Sequence, residues 1–398
     1  MATRTSRILL FLVVIGLAGS VPAGADIDIG FFYQSLAPYG EWVSVSPYGW
    51  VWTPSYVEAT WRPYTDGHWV YTDVGWTYVS DFPWAWACYH YGRWFFSDDY
   101  GWCWVPGTVW SPAWVAWRSG DGYIGWAPLP PGVGWNAGAG LNLRDFDLNF
   151  GIDHYWWSFV EEKYFAGPGV SGHIMLPARN ITLLEVTRNI TDYTASRDRI
   201  FDRGIDPEQL EKVTGERIRR LKLVAPGPYQ GPQREAVRGG DVVLFHPRVS
   251  EKNPAGKPRN LVRPEQRIPP AELAGRQQME NQKLASQHEE QQRRLEALHS
   301  RALREPEKGV PNDELERRQE AERRAMEEEH KREAMVLESR HARQQKEVAA
   351  AHGFSSRHQE VYTTGAGKSM KPTHPSANAK GAEQSRSARE GEKHGKGK

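Results

Sequence analysis

The sequence predicts a mainly β fold in its first half, built of stacked tryptophan-rich β-hairpin repeats, then a small α+β segment and a long charged α-helical and disordered C-terminal region. Three observations carry that expectation. All 18 tryptophans fall between Trp42 and Trp157. Gly-Trp pairs recur at Gly49-Trp50, Gly75-Trp76, Gly101-Trp102 and Gly125-Trp126, a spacing of 26, 26 and 24 residues, within the range of stacked supersecondary units. Beyond Pro254, Glu, Gln, Arg and Lys replace the aromatics, and the apolar residues thin out.

In chain order, Arg4 and Arg7 precede an apolar core from Ile8 to Ala18 and the small-x-small site Ala23-Gly24-Ala25. This reads as a secretory signal over 1–25, cleaved after Ala25, which makes the protein periplasmic or secreted. The core is too short to span a bilayer comfortably, although an uncleaved anchor helix is the competing reading. No later segment is apolar enough to cross a membrane. The net charge of +1 gives no support to a nucleic-acid partner, which calls for a basic face.

Residues 26–175 form the expected β-repeat domain. Phe31, Phe32 and Tyr33 open it with enough apolar surface to dock. Trp50 and Trp52, Trp69 and Tyr71, Trp76 and Tyr78, and Trp102 and Trp104 each stand two apart, which puts each pair on one face of a strand. Turn formers separate the strands at Ser46-Pro47-Tyr48-Gly49, Asp73-Val74-Gly75 and Ser97-Asp98-Asp99-Tyr100-Gly101. One such unit buries too little to offset its ordering entropy, so neighbouring repeats are expected to cover each other's rings. Pro-containing connectors run between the hairpins and hold Trp61, Trp84, Trp86, Trp110, Trp114 and Trp117. These six are the candidates for a ligand-stacking surface, since connectors carry function more often than hairpin cores do.

The two cysteines, Cys88 and Cys103, are close enough in sequence for a disulfide in an oxidising compartment, with two separate buried thiols as the alternative. No Cys-x-x-Cys redox spacing exists.

Residues 176–250 read as a small α+β segment. Strands are expected at Ile181-Thr182-Leu183-Leu184, Asn189-Ile190-Thr191, Arg199-Ile200-Phe201, Ile218 to Val224 and Asp241 to His246. A helix begins at Asp206-Pro207 and ends at Gly215. A linker follows over 251–270. Helices are expected over 271–304 and 312–351, within a charged region of 271–352, and a disordered tail over 353–398. Their apolar positions hold no clean heptad, which leaves solvated helices or a partner-dependent coiled coil open.

No catalytic, cofactor-binding or metal-binding constellation is legible. Gly169-Val170-Ser171-Gly172-His173 reads as a turn, and His68, His90, His154 and His173 lack ligand spacing. Asp98, Asp99, Asp121, Glu161 and Glu162 could supply paired acids only if folding brought two of them together.

Tyr91-Gly92-Arg93-Trp94, Tyr100-Gly101-Trp102, Trp110-Ser111-Pro112-Ala113-Trp114-Val115 and Gly122-Tyr123-Ile124-Gly125-Trp126-Ala127-Pro128-Leu129-Pro130-Pro131-Gly132 together resemble a group of tryptophan-rich exported bacterial proteins. Their shared domain has no known function. Pro177-Ala178-Arg179-Asn180-Ile181-Thr182 and Asn189-Ile190-Thr191 resemble that group's second segment, so the resemblance covers roughly residues 39 to 250. It implies no catalytic residues. The expected function is a non-enzymatic envelope protein whose β-repeat module binds or packs against a cell-wall glycan or an envelope protein. The alternative is a structural scaffold that self-associates through its helices, and a polysaccharide-active enzyme is a third reading.

Overall fold

Glycine at the turns sets the frame. Gly49, Gly75 and Gly101 have φ of 74°, 96° and 72°, values open to glycine at little cost, and each reverses the chain between two strands. The resulting hairpins are β1 (Gly40–Val45) with β2 (Gly49–Pro54), β3 (His68–Thr72) with β4 (Gly75–Val79), and β5 (Arg93–Ser97) with β6 (Gly101–Val105). A fourth pairs β7 (Val115–Gly120) with β8 (Tyr123–Pro128). Helix α1 (Ile29–Leu36), capped by Asp28, precedes them, and the short α2 (Ala85–Cys88) lies between β4 and β5. The computed structural model describes residues 27–133, 135–136, 140–141, 152–196, 199–226, 234–250, 258, 268–305 and 310–364. The expected signal segment, most of the 251–270 linker and residues 365–398 lie outside these.

Each hairpin places aromatic residues opposite one another: Trp42 faces Trp52, Trp69 faces Tyr78, Trp94 faces Trp104 and Trp117 faces Trp126. Such cross-strand pairs are the unit of sheet stabilisation. The hairpins do not join in chain order, however. The first and third share a sheet, β1-β2-β6-β5, through Trp52 opposite Trp104. The second and fourth meet through their rings, with Trp69 4.5 Å from Trp117 and 5.8 Å from Trp126. The expected stacking of sequence neighbours is therefore corrected to a pairing of alternates. The reason is in the connectors, where Pro63, Pro83 and Pro112 interrupt strand pairing and let the chain cross between sheets.

The chain continues through the short ribbon β9 (Trp135–Asn136) and β10 (Gly140–Leu141), then β11 (Ser158–Glu161) and α3 (Glu162–Phe165). Residues 180–186 form helix α4 (Asn180–Val186) and not the expected strand. The amide of Asn180, fully buried, donates to the carbonyls of His154 (2.9 Å) and Trp157 (2.6 Å), which anchors the helix start in spite of the β-branched residues. Then come β12 (Arg188–Asn189), β13 (Tyr193–Ser196), β14 (Arg199–Asp202) and α5 (Pro207–Thr214). The α5 helix forms as the sequence predicts: Asp206 accepts from the Glu208 amide at 2.9 Å, and Gly215 ends it at φ 70°. Strands β15 (Lys222–Val224), β16 (Ala236–Arg238) and β17 (Asp241–Val243) make a separate three-stranded sheet.

Residues 176–250 do not keep a core to themselves. Strand β14 runs parallel to β4, β11 and β12 flank the fourth hairpin, and Leu183, Tyr193, Ile200 and Leu210 enter the tryptophan core. Described residues up to Ala351 pack as one unit. Helix makes up 42% of the described residues against 25% strand, with the sheets in the N-terminal half and the long helices in the C-terminal region.

Helices α6 (Pro270–Arg304) and α7 (Asn312–Thr364) account for that balance, and α7 runs past the expected end at residue 351. They form an antiparallel pair whose seam repeats every eleven residues, close to three helical turns. Leu273 packs with Val348, Leu284 lies near Leu337, and Leu295 packs with Met326. A polar row follows the same step, with Gln277, His288 and His299 on α6 set against His341, His330 and Gln319 on α7. Gln277 donates to the His341 carbonyl and Gln319 to the His299 carbonyl, both at 3.2 Å. His288 binds Glu333 (2.8 Å), His299 binds Glu322 (2.7 Å) and His341 binds Glu280 (2.7 Å). The helices pair with each other and lie on the β region, where Arg332 binds Asp153 at 3.0 Å and Arg343 lies over the Tyr100 ring at 4.6 Å.

At the seam's centre the His288 and His330 rings stack 3.7 Å apart, and the His330 Nε2 lies 2.7 Å from the Gln291 Oε1. Burial, with His288 nearby, lowers His330 to about 4. A folded pKa below the unfolded one means the unfolded chain takes up the proton first, so this group's stability contribution falls as pH drops from about 6.5 towards 4. His330→Gln is therefore expected to narrow the acid sensitivity. Its urea stability relative to the parent should rise by about 1 kcal/mol between pH 7 and 4.5, after discounting for the half-open ring. Denaturation followed by circular dichroism at both pH values checks this, and a pH-independent difference would refute it.

Candidate functional site

A groove of ≈ 680 Å³ opens where the β7–β8 turn, the end of α4 and the start of α5 converge. Its floor holds Ile124, Ile205 and Leu210, and its rim holds Glu162, Glu185, Asp206 and Arg188. Three carboxylates against one guanidinium favour a polar ligand that carries amino or hydroxyl groups.

Arg118 and Trp117 fix the walls. Arg118, 3% exposed, sends Nε to the Thr187 Oγ1 (2.9 Å) and Nη2 to the carbonyls of Leu184 (2.7 Å) and Thr187. It thereby occupies acceptors left open at the C-terminus of α4 and pins that helix to β7. The Trp117 indole N–H reaches both oxygens of Asp202 at 2.9 Å, and the Gly204 amide adds 3.1 Å. Burial pushes Asp202 up to about 7, against the downward pull of the Gly204 amide and the indole. Gly204 lines the groove and presses on the indole beneath: a Cβ there would meet the Trp117 ring at 2.3 Å. The backbone of the groove thus rests directly on a tryptophan.

A second polar cluster is internal. His90 Nε2 lies 3.1 Å from Glu235 Oε1, the Ser80 amide donates to Glu235 Oε2 at 2.9 Å, and the hydroxyls of Ser80 and Tyr89 both donate to Asp66. Burial raises Asp66 to about 6. The Ser80 hydroxyl spends its proton on Asp66 and has no imidazole partner, so the cluster does not have the geometry of an activated nucleophile. It ties residue 235 to the β region. Among the described residues no group of three or more His, Cys, Asp or Glu side chains could hold a metal.

The residues singled out from the sequence end up elsewhere. Trp61, Trp84, Trp86, Trp114 and Trp117 are all buried in the main core, and Trp110 is half-buried against His90 at 5.7 Å. The expectation of a stacking surface on these connectors is corrected: their rings fill the space between the sheets, as where Trp84 packs on Trp52 at 5.2 Å and Trp61 at 5.8 Å. Cys88 and Cys103 are free thiols. Strand alternation explains the correction, because Trp102 and Trp104 face the main core while Cys103 points the other way, to Val43 and Val51, and Cys88 sits in the main core. Asp98 and Asp99 occupy the β5–β6 turn, Asp121 the β7–β8 turn, and Glu161 precedes α3; of the candidate acids only Glu162 lines the groove. The groove itself had no sequence signal, since its walls come from residues 119–124, 162, 185–190 and 204–210.

Fold and site together define a tryptophan-packed β-sheet platform braced by a long helical pair, with a polar groove at one edge. Residues 33–133 match a family of unknown function (DUF6600), a span that runs from α1 past β8 and ends well short of the residue 250 expected from the motifs. No curated protein matches the chain, and no solved structure does.

Proposed function

We propose that this is an exported, non-enzymatic envelope protein that binds a cell-wall polymer through the groove beside Trp117. The four hairpins, read as copies of one Gly-Trp unit, supply a rigid base for it. One observation carries the reading: the tryptophans are spent on packing, and the groove of ≈ 680 Å³ offers a polar rim over an apolar floor. The Arg4, Arg7, Ile8 to Ala18 and Ala23-Gly24-Ala25 leader supports export. The acidic rim suits the amino groups and hydroxyls of amino-sugar strands and their peptide stems.

Titration of the mature chain with soluble wall fragments, followed by tryptophan fluorescence, tests the reading, since Gly204 couples the groove to the Trp117 ring. A saturable change is expected, weakened about tenfold by Glu185→Lys, which adds charge repulsion at an exposed rim position. A response unaffected by Glu185→Lys, or none with any fragment, would overturn the assignment.

A further inference from the structure

Where α6 turns into α7, the helical pair meets α4 and leaves a second cavity of ≈ 440 Å³. Its walls combine apolar Leu298, Ala302, Val310 and Leu315 with the guanidinium groups of Arg179, Arg301 and Arg318. Two of these cations already have partners: Arg301 Nε lies 3.3 Å from Glu305 and Arg318 Nε 2.9 Å from Glu314. Arg179 differs. Its nearest acceptors are Glu322 Oε1 at 3.8 Å and the Met175 sulfur at 3.9 Å, so among the described residues no oxygen lies within hydrogen-bond reach of its guanidinium.

Glu322 faces Arg179 as an ion-pair partner at 3.8 Å without a hydrogen bond to it, and each of its oxygens holds another donor. Oε1 accepts from the Thr182 hydroxyl at 2.6 Å, and Oε2 lies 2.7 Å from His299 Nε2. A guanidinium offers five N–H donors in a planar fork that matches a carboxylate, and the Arg179 side chain, 24% exposed, leaves that fork open to a ligand in the cavity. Leu298, 39% exposed, supplies an adjacent apolar surface. Cation and apolar strip in one cavity call for one kind of ligand, an anionic amphiphile.

We propose that this cavity binds a carboxylate attached to an apolar chain, with the carboxylate on Arg179 and the chain along Leu298 and Leu315. The site is assembled from Arg179 and Thr182 on one side and both long helices on the other, so an occupant would also hold the helical pair against α4. It is separate from the groove beside Trp117, and either can fail without the other.

Calorimetric titration of the full mature chain with decanoate below its micelle concentration is the test. Decylamine, decanol and acetate serve as comparisons. Decanoate is expected to bind with a stoichiometry of about one and at least tenfold more tightly than any of the three, because only it presents both the anion and the chain. Arg179→Gln should weaken decanoate about tenfold or more and leave decanol unchanged. Leu298→Glu, at a position exposed enough to keep the fold, should weaken it to a similar extent. Circular dichroism confirms that each variant is folded. Equal binding of decylamine or decanol, equal binding of acetate, or decanoate affinity untouched by Arg179→Gln in a folded variant would each overturn the proposal.

Discussion

Trp117→Ala is expected to cost about 5 kcal/mol, enough to consume most of the stability of an ordinary domain. The ring is fully buried, 4.5 Å from Trp69 and 5.7 Å from Phe165, and Gly204 leans directly on it. Truncation opens a cavity between the second and fourth hairpins and also strips Asp202 of its indole donor. Trp117→Phe keeps a smaller aromatic ring in the site and removes the N–H, so most of the packing stays while the indole donor is lost. It should cost about 2 kcal/mol at neutral pH. Its pH dependence carries a sign. Asp202 already stands at about 7, above its unfolded value, so its stability contribution is fully present in acid and is lost as pH rises through 7. Without the indole hydrogen bond the folded pKa rises further, so the gap between parent and variant should widen from pH 5 to pH 8. Urea denaturation followed by circular dichroism measures it, and a gap that stays constant would show that the indole hydrogen bond to Asp202 contributes little.

The second large effect is expected at Gly75. Its φ of 96° already disfavours a side chain, and a Cβ would lie 1.8 Å from the Asp202 carbonyl oxygen, where β14 joins β4. Gly75→Ala must therefore push β14 away from β4 and disturb the carboxylate beneath the groove. About 4 kcal/mol is the expected loss, from strain and lost packing together. Gly49 is the internal control, with φ 74° and no atom within 4 Å of the added carbon. Gly49→Ala should cost about 1 kcal/mol, the left-handed penalty alone. Equal losses at the two positions would mean that the close approach of β14 is unimportant.

Much of the fold was legible where the chemistry is local. The turn glycines, the two-residue spacing of the aromatics and the Asp206-Pro207 to Gly215 helix all formed as their residues require. The helical seam was also written in the sequence, at Leu273, Leu284, Leu295 and at Met326, Leu337, Val348, but only at an eleven-residue step; a seven-residue template passes over it. Residues 181–184 misled because β-branching outweighs helix propensity in isolation, whereas Asn180 secures the helix through carbonyls more than twenty residues away. The groove could not be seen at all, because no stretch of chain contributes more than a fraction of it.

By itself the sequence determined which residues share a face: alternation along a strand and periodicity along a helix are properties of one segment and its neighbours. Only the tertiary structure decided what each face meets. It joined the first hairpin to the third, turned the connector tryptophans inward, put Cys88 and Cys103 in different clusters, and closed the helical pair on itself and on the β region. The physical reason is that burial of apolar area is non-directional, so many partners satisfy a given face equally well in isolation. The choice among them falls to close packing and to the few polar groups, such as Asp202, Asn180 and Arg118, that must each find a partner at a definite distance.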